Sequence, residues 1–101
     1  MFSEEMSKNC ETVSNILKCI SNPVRLKILC LLTEKKCSVG ELENRLKISQ
    51  SMVSQHVLAL WRAGILDREK QGQSVYYGVA DTRVLALMTQ LYDLFCKGEQ
   101  Q

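Results

Sequence analysis

Several things are scarce in this 101-residue sequence. It has one histidine, one proline and a formal net charge of only +2. No stretch approaches the roughly 18 apolar residues that a membrane span requires. The opening MFSEEMSKNCE is polar and acidic, without the basic and apolar regions of a signal peptide. The cytoplasm is therefore the expected location. Internal repeats, low-complexity tracts and interdomain linkers are missing, and the length suits one compact domain. A single histidine makes a four-coordinate zinc site hard to assemble. No nucleophile–base–orienter set and no phosphate-cradling loop is visible, which argues against an enzyme; no cofactor is expected. The small net charge identifies no partner.

What is present is more telling. Hydrophobic residues make up 46% and charged residues 24%, as in a globular protein. A core of this size is modest, and dimerising would bury more surface. Basic residues cluster between Arg45 and Lys70: Arg45, Lys47, Arg62, Arg68 and Lys70 stand against Asp67 and Glu69. Phosphate binding needs such a local patch, not a high overall pI, although a solvated surface would look the same. Five cysteines (Cys10, Cys19, Cys30, Cys37, Cys96) form an odd set without a secretion signal. Reduced thiols fit better than a disulfide framework.

The periodicity predicts five helices and a hairpin, with frayed ends at residues 1–5 and in the tail KGEQQ. Helix one spans 6–20, with Val13, Ile16, Leu17 and Ile20 at helical spacing. Asn22 is placed to cap helix two, and Pro23 sits at its first position, where a missing N–H does no harm. Helix two (23–32) is rich in aliphatics (Val24, Leu26, Ile28, Leu29, Leu31 and Leu32) and is expected to be deeply buried, Cys30 with it. The polar stretch 33–37 ends it. Ser38-Val39-Gly40-Glu41 is a capping box that starts helix three. A turn at Lys47-Ile48-Ser49 leads to helix four (50–63), whose inner stripe is Val53, Val57, Leu60 and Trp61, and Gly64 stops it. Strands at 65–69 and 74–79 flank the turn Lys70-Gln71-Gly72-Gln73. Asp81 caps a last helix, 82–97, in which Val84, Leu87, Met88, Leu91, Leu94 and Phe95 form an apolar stripe. That stripe reads as a dimer interface made with helix one; packing on the domain's own core is the alternative.

Helices three and four with their short turn form a helix-turn-helix. In that motif the start of the second helix reaches base edges in the major groove. Here it carries Ser49, Gln50, Ser51, Met52, Ser54, Gln55 and His56. Glutamine pairs bidentately with adenine, serine bonds base edges or phosphate, and Met52 suits a thymine methyl. His56 has no other metal ligand on its helix, so a hydrogen bond to DNA is the expected role. Arg68, Lys70 and Gln73 flank a glycine turn, as in a wing that sets cations beside the DNA backbone. The expected fold class is mainly α with a small β-hairpin: a winged helix-turn-helix of five helices plus wing, working as a homodimer on double-stranded operator DNA.

The segments SNPVRLKILCLL and SVGELENRLKISQSMVSQHVLALWRAGILDREKQGQSVYYGV, with the closing helix, resemble the ArsR/SmtB family of small bacterial repressors over roughly residues 12–97. The resemblance implies a winged-helix homodimer paired through its first and last helices, residues 6–20 and 82–97. It implies a repressor released from its operator by an inducer. Carried over by motif, Gln50, Ser51, Ser54, Gln55 and His56 are recognition-helix positions, and Arg68, Lys70 and Gln73 belong to the wing.

Metal-sensing members of that family use a Cys-x-Cys type motif at the start of helix three, or Asp, His and Glu ligands on the last helix. Here the first place holds Ser38-Val39-Gly40-Glu41-Leu42, and the last helix has no histidine. Cys30 in KILCLL and Cys96 in LYDLFC look instead like the thiol- and persulfide-sensing branch, of BigR, SqrR and HlyU type. That likeness implies a disulfide or polysulfide link between Cys30 and Cys96 that lowers DNA affinity, with a persulfide, polysulfide or oxidant as inducer. A plain disulfide needs Cα atoms roughly 4.4–6.8 Å apart; inserted sulfur relaxes this. Free cysteine is also a common small core residue. Cys37, beside Lys35 and Lys36, is expected to favour its thiolate. Two alternatives remain: a metal- or metalloid-responsive repressor, and a winged-helix protein–protein module that binds no DNA.

Overall fold

The computed structural model describes residues 2–97. In chain order it has α1 (Glu4–Ile20), α2 (Pro23–Glu34), α3 (Val39–Leu46), α4 (Gln50–Arg62), β1 (Leu66–Gln71), β2 (Ser74–Val79) and α5 (Thr82–Phe95). The strands form one antiparallel hairpin. This is the expected class, five helices and a small wing.

Side-chain caps fix where the helices begin. Asn22 Oδ1 accepts from the Val24 and Arg25 amides at 2.9 and 3.1 Å, with Pro23 in the first turn. At α3 the Glu41 amide donates to Ser38 Oγ at 3.2 Å, and the Ser38 amide donates to Glu41 Oε1 at 3.0 Å. Ser49 Oγ accepts from the Met52 amide at 3.2 Å to open α4. Asp81 opens α5 through the Arg83 and Val84 amides. Its ion pair with Arg83 and these hydrogen bonds bring the Asp81 pKa down to about 2. Such caps satisfy amides that have no partner within the helix.

The core lies where α2, α3, α4, α5 and the hairpin meet. Ile28, Leu29, Leu42, Val53, Val57 and Leu60 have no exposed surface. Ile65, Leu66, Tyr77, Val84 and Met88 close the cluster. Between α3 and α4 the chain turns through Lys47, at φ 60° and ψ 39°, a left-handed conformation that costs a non-glycine residue energy. Gly64, at φ 79°, carries the chain from α4 into the wing.

Several expectations need correction. α1 starts at Glu4, because Ser3 Oγ accepts from the Met6 amide; residues 4 and 5 are helical. Met1 and the tail residues Gly98–Gln101 lie outside the described residues. α2 runs two residues beyond 32, and it is buried on one side only. Ile28, Leu29 and Leu32 face the core, whereas Cys30 is exposed. Cys37 is the reverse case. It is 3% exposed, and its amide and carbonyl pair with Tyr77 at 3.0 and 2.8 Å. That bridge sets the α2–α3 loop against the edge of β2 that β1 leaves open. Burial, then the Glu41 carboxylate, raises the Cys37 pKa against the opposing pull of Lys35 and Arg45, so the expected thiolate does not hold. β1 begins at Leu66 and runs on to Gln71, leaving a two-residue turn, Gly72-Gln73, with Gly72 at φ 63°. A glycine at the first central position suits a type II′ hairpin. α5 ends at Phe95, with Cys96 as its cap residue.

α1 is thinly anchored for its 17 residues: Ile20 is its one buried residue. An open groove of about 540 Å³ runs between α1 and α5, lined by Met6, Cys10, Val13, Leu17, Leu87 and Leu91 among others. Leu94 and Phe95 at the end of α5 are 72% and 68% exposed. The radius of gyration, 14.8 Å, exceeds the ~13 Å of a compact chain of this length.

The α3 capping box gives a direct test of the fold. Ser38→Ala removes one of the two reciprocal bonds and is expected to cost ~1 kcal/mol. Urea unfolding then shows a lower midpoint at an unchanged slope; an unmoved midpoint would mean the box contributes nothing.

Candidate nucleic-acid interface

Helix α4 divides cleanly into two faces. Val53, Val57 and Leu60 are fully buried, while Ser49, Gln50, Ser51, Met52 and Gln55 are exposed and Ser54 and His56 are half-buried. The division follows from the spacing of the apolar positions. The exposed set is short, uncharged and rich in hydrogen-bonding groups, as base-edge reading requires. The Ser49 hydroxyl already accepts the α4 capping bond.

The wing has its own organisation. Arg68, Lys70 and Gln73 are all exposed. Lys70 and Gln73 stand near the turn, Lys70 opposite Val75 in register. Arg68 stands opposite Tyr77, nearer the hairpin base, and its guanidinium lies over the Trp61 ring at 3.6 Å from the centroid. Trp61 is half-buried: it packs against the core, as its place in the inner stripe predicts, and also carries this cation on its ring. The wing's acidic Glu69 accepts from Lys36 Nζ at 3.3 Å and from Gln71 Nε2 at 3.0 Å. Lys36 also passes close over Gly78, where an added Cβ would lie 3.1 Å from its Cγ.

His56 was expected to offer its ring to DNA, yet one side of the ring is engaged within the fold. Arg25 Nε donates to His56 Nδ1 at 3.1 Å, across 31 residues of sequence. Arg25 also donates through Nη1 to the Cys19 carbonyl at 2.8 Å. Sequence reading missed Arg25, because a partner so distant leaves no local signal. Trp61 under Arg68 and Lys36 beside Glu69 were missed for the same reason.

Cys30 and Cys96 are both exposed and both free. They are near enough to act on each other: partial burial, then Cys96, then Glu34 raise the Cys30 pKa. Among the described residues no three of His, Cys, Asp and Glu are grouped to hold a metal ion, and no helix is long and apolar enough to cross a membrane.

The single histidine makes one prediction easy to read. Burial, then the Arg25 charge, lowers the His56 pKa from its ordinary 6.5. The unfolded chain therefore takes up this proton first as pH falls. The His56 contribution to stability is whole above 6.5 and is lost as pH falls through the folded pKa. NMR titration should show one imidazole with a midpoint below 6.5; a midpoint at or above that value would contradict the buried, Arg25-facing ring.

Residues 22–68 match the family described as bacterial regulatory protein, arsR family. The transcriptional activator HlyU of Vibrio cholerae is 41% identical over 97 residues, covering 96% of this chain and 90% of that protein. The structure of reduced HlyU from Vibrio cholerae superposes with a TM-score of 0.86 at 41% identity, covering 93% of this chain and 99% of that one. The transcriptional repressor BigR from Xylella fastidiosa gives a TM-score of 0.88 at 36% identity, covering 95% and 98%. These similar proteins are transcription regulators, not enzymes. With its helix-turn-helix and wing, the chain belongs to the bacterial ArsR family of DNA-binding transcription regulators.

Proposed function

We propose that the chain is a cytoplasmic, homodimeric repressor that binds operator DNA when its thiols are reduced and lets go when Cys30 and Cys96 are linked. In this reading Gln50, Ser51, Ser54, Gln55 and His56 meet base edges or nearby phosphates, and Ser49 opens the helix beside them. Arg68, Lys70 and Gln73 lie along the DNA backbone. The residue spans act as 6–20 and 82–97 for dimerisation, 38–63 for the helix-turn-helix and 65–79 for the wing. The observation that carries DNA reading is the two-faced α4, dry on Val53, Val57 and Leu60 and polar on Gln50, Ser51 and Gln55. The apolar groove between α1 and α5 supports the dimer, since a second copy would cover it.

The switch rests on the Cys30–Cys96 proximity and on their exposure. A link there ties α2, which packs on the reading head, to α5 in the dimer region. The two α4 helices of a dimer must sit about one DNA turn, ~34 Å, apart, so a small shift affects both half-sites. The chemistry balances with a persulfide as the oxidant. One persulfide takes the two thiols to a disulfide, releasing one thiol and one hydrogen sulfide. Each further persulfide leaves one sulfur in the link and departs as a thiol. The similar HlyU structure is of the reduced protein, the free-thiol state seen here. HlyU is described as an activator and BigR as a repressor; release of DNA on oxidation serves either outcome, by direct repression or by displacing a silencer.

Two measurements test this reading. Reduced protein is treated with an organic persulfide and, separately, with peroxide. Native mass should show a dimer, and peptide mapping a Cys30–Cys96 link that retains sulfur only after persulfide. A plain disulfide from every oxidant would make it a general redox switch, and unlinked cysteines would overturn it in favour of a metal or metalloid inducer. On the DNA side, Gln55→Ala should cost on the order of 1–3 kcal/mol and relax operator choice. Unchanged affinity and selectivity would remove Gln55 from the interface and favour a protein–protein module.

A further inference from the structure

Arg25 holds a distinctive place in the fold. Its backbone is set by a rigid first turn, with Pro23 at the start of α2 and the Arg25 amide itself bonded to Asn22 Oδ1. Its side chain is half-buried between three helices. Nη1 donates at 2.8 Å to the Cys19 carbonyl, in the last turn of α1, and lies 3.8 Å from the Cys19 sulfur. Nε donates at 3.1 Å to His56 Nδ1 on α4.

Each bond has a physical reason. A guanidinium stays charged at any working pH and needs acceptors when it leaves water. Carbonyls in a helix's last turn lack partners within the helix, and a cation there meets the negative end of the helix dipole. A neutral imidazole offers one lone pair, and Arg25 takes the one at Nδ1, leaving the proton on Nε2. Because Nε and Nη1 belong to one planar group, both bonds together define its plane. They therefore constrain the distance and rotation between the end of α1 and the middle of α4.

We propose that Arg25 is a positioning residue for DNA recognition, which holds α4 at a set rotation against α1 by bridging the Cys19 carbonyl and the His56 ring. The proposal rests on the reading of α4 as the DNA-contacting helix. His56 follows Gln55 directly and lies one turn beyond Met52 on α4. A rotation there moves the whole exposed face. α1 also carries much of the apolar groove, so Arg25 is a direct polar connection from that surface to the reading head. Arg25 itself does not touch DNA in this arrangement.

The test is a double-mutant cycle on the full chain, with a duplex that the wild-type protein selects from a random-sequence pool. Arg25→Gln should weaken binding about tenfold in the wild-type background and less than about twofold when His56 is already Ala. Equal losses in both backgrounds would overturn the proposal, since Arg25 would then act independently of His56. Arg25→Lys keeps the charge but not the planar fork, and should bind as weakly as Arg25→Gln. Rescue by lysine would show a simple phosphate contact and overturn the idea.

One readout needs neither DNA nor a variant. The ¹⁵N shifts of the single imidazole should report Nδ1 as the unprotonated acceptor, and a proton on Nδ1 would overturn the clasp outright. If Gln55→Ala leaves DNA binding unchanged in the same assay, the reading of α4 fails while the clasp stands on the imidazole signal. The two failures are therefore separable.

Discussion

The structure depends on one packing constraint: the dry face of α4 must be buried on both α2 and α3. Val53, Val57 and Leu60 are sealed against a core containing Ile28, Leu29 and Leu42, and none of the six has exposed surface. Burying a side chain of this kind is worth roughly 1.5–3 kcal/mol. The polar residues between these anchors have no choice of orientation; helical geometry turns them outward together. A slip of α4 by one residue would expose valine and bury glutamine or serine without partners. The same constraint thus stabilises the domain and turns the polar face of α4 outward.

Around this centre the remaining contacts are polar ties between elements that the core holds only loosely. The bridge from Cys37 to Tyr77 fastens the α2–α3 loop to the hairpin. Lys36 on Glu69 and Arg68 on Trp61 fasten the hairpin to its neighbours. The Lys36–Glu69 pair is exposed, and exposed ion pairs contribute little to stability; a cation on an aromatic ring at the surface adds about 0.5–1 kcal/mol. Their effect is positional. Pairing with Lys36 offsets an acidic charge that would otherwise repel phosphate, and stacking on Trp61 restricts a long cationic side chain before it meets a partner.

Legibility in the sequence followed the range of the interaction. The caps at Asn22, Ser38 and Asp81 act over two or three residues and were readable, as was the glycine turn of the wing. The apolar stripes of α4 and α5 were readable because their period is helical. The fold class followed from these local signals in order. The cysteines were not. Cys30 sits among leucines, yet one side of α2 faces solvent, so an aliphatic run was mistaken for burial on all sides. Cys37 sits among charged residues, yet a two-bond bridge to a strand 40 positions later draws it inside. Burial of a single residue depends on what packs over it, and local composition does not carry that. The Arg25–His56 pair was invisible for the same reason.

The exposure of Cys30 bears directly on how it can react. A cysteine in the core would need local unfolding before it could react, and its behaviour would track stability. An exposed thiol on α2 needs no such opening. Partial burial, then Cys96, raises the Cys30 pKa, which disfavours its thiolate, the reactive form. Cys37, sealed at 3% exposure with its own pKa raised, is protected by both means. The fold therefore sorts its cysteines by access more than by sequence neighbours: Cys10, Cys30 and Cys96 lie open, Cys19 is half-buried and Cys37 is sealed.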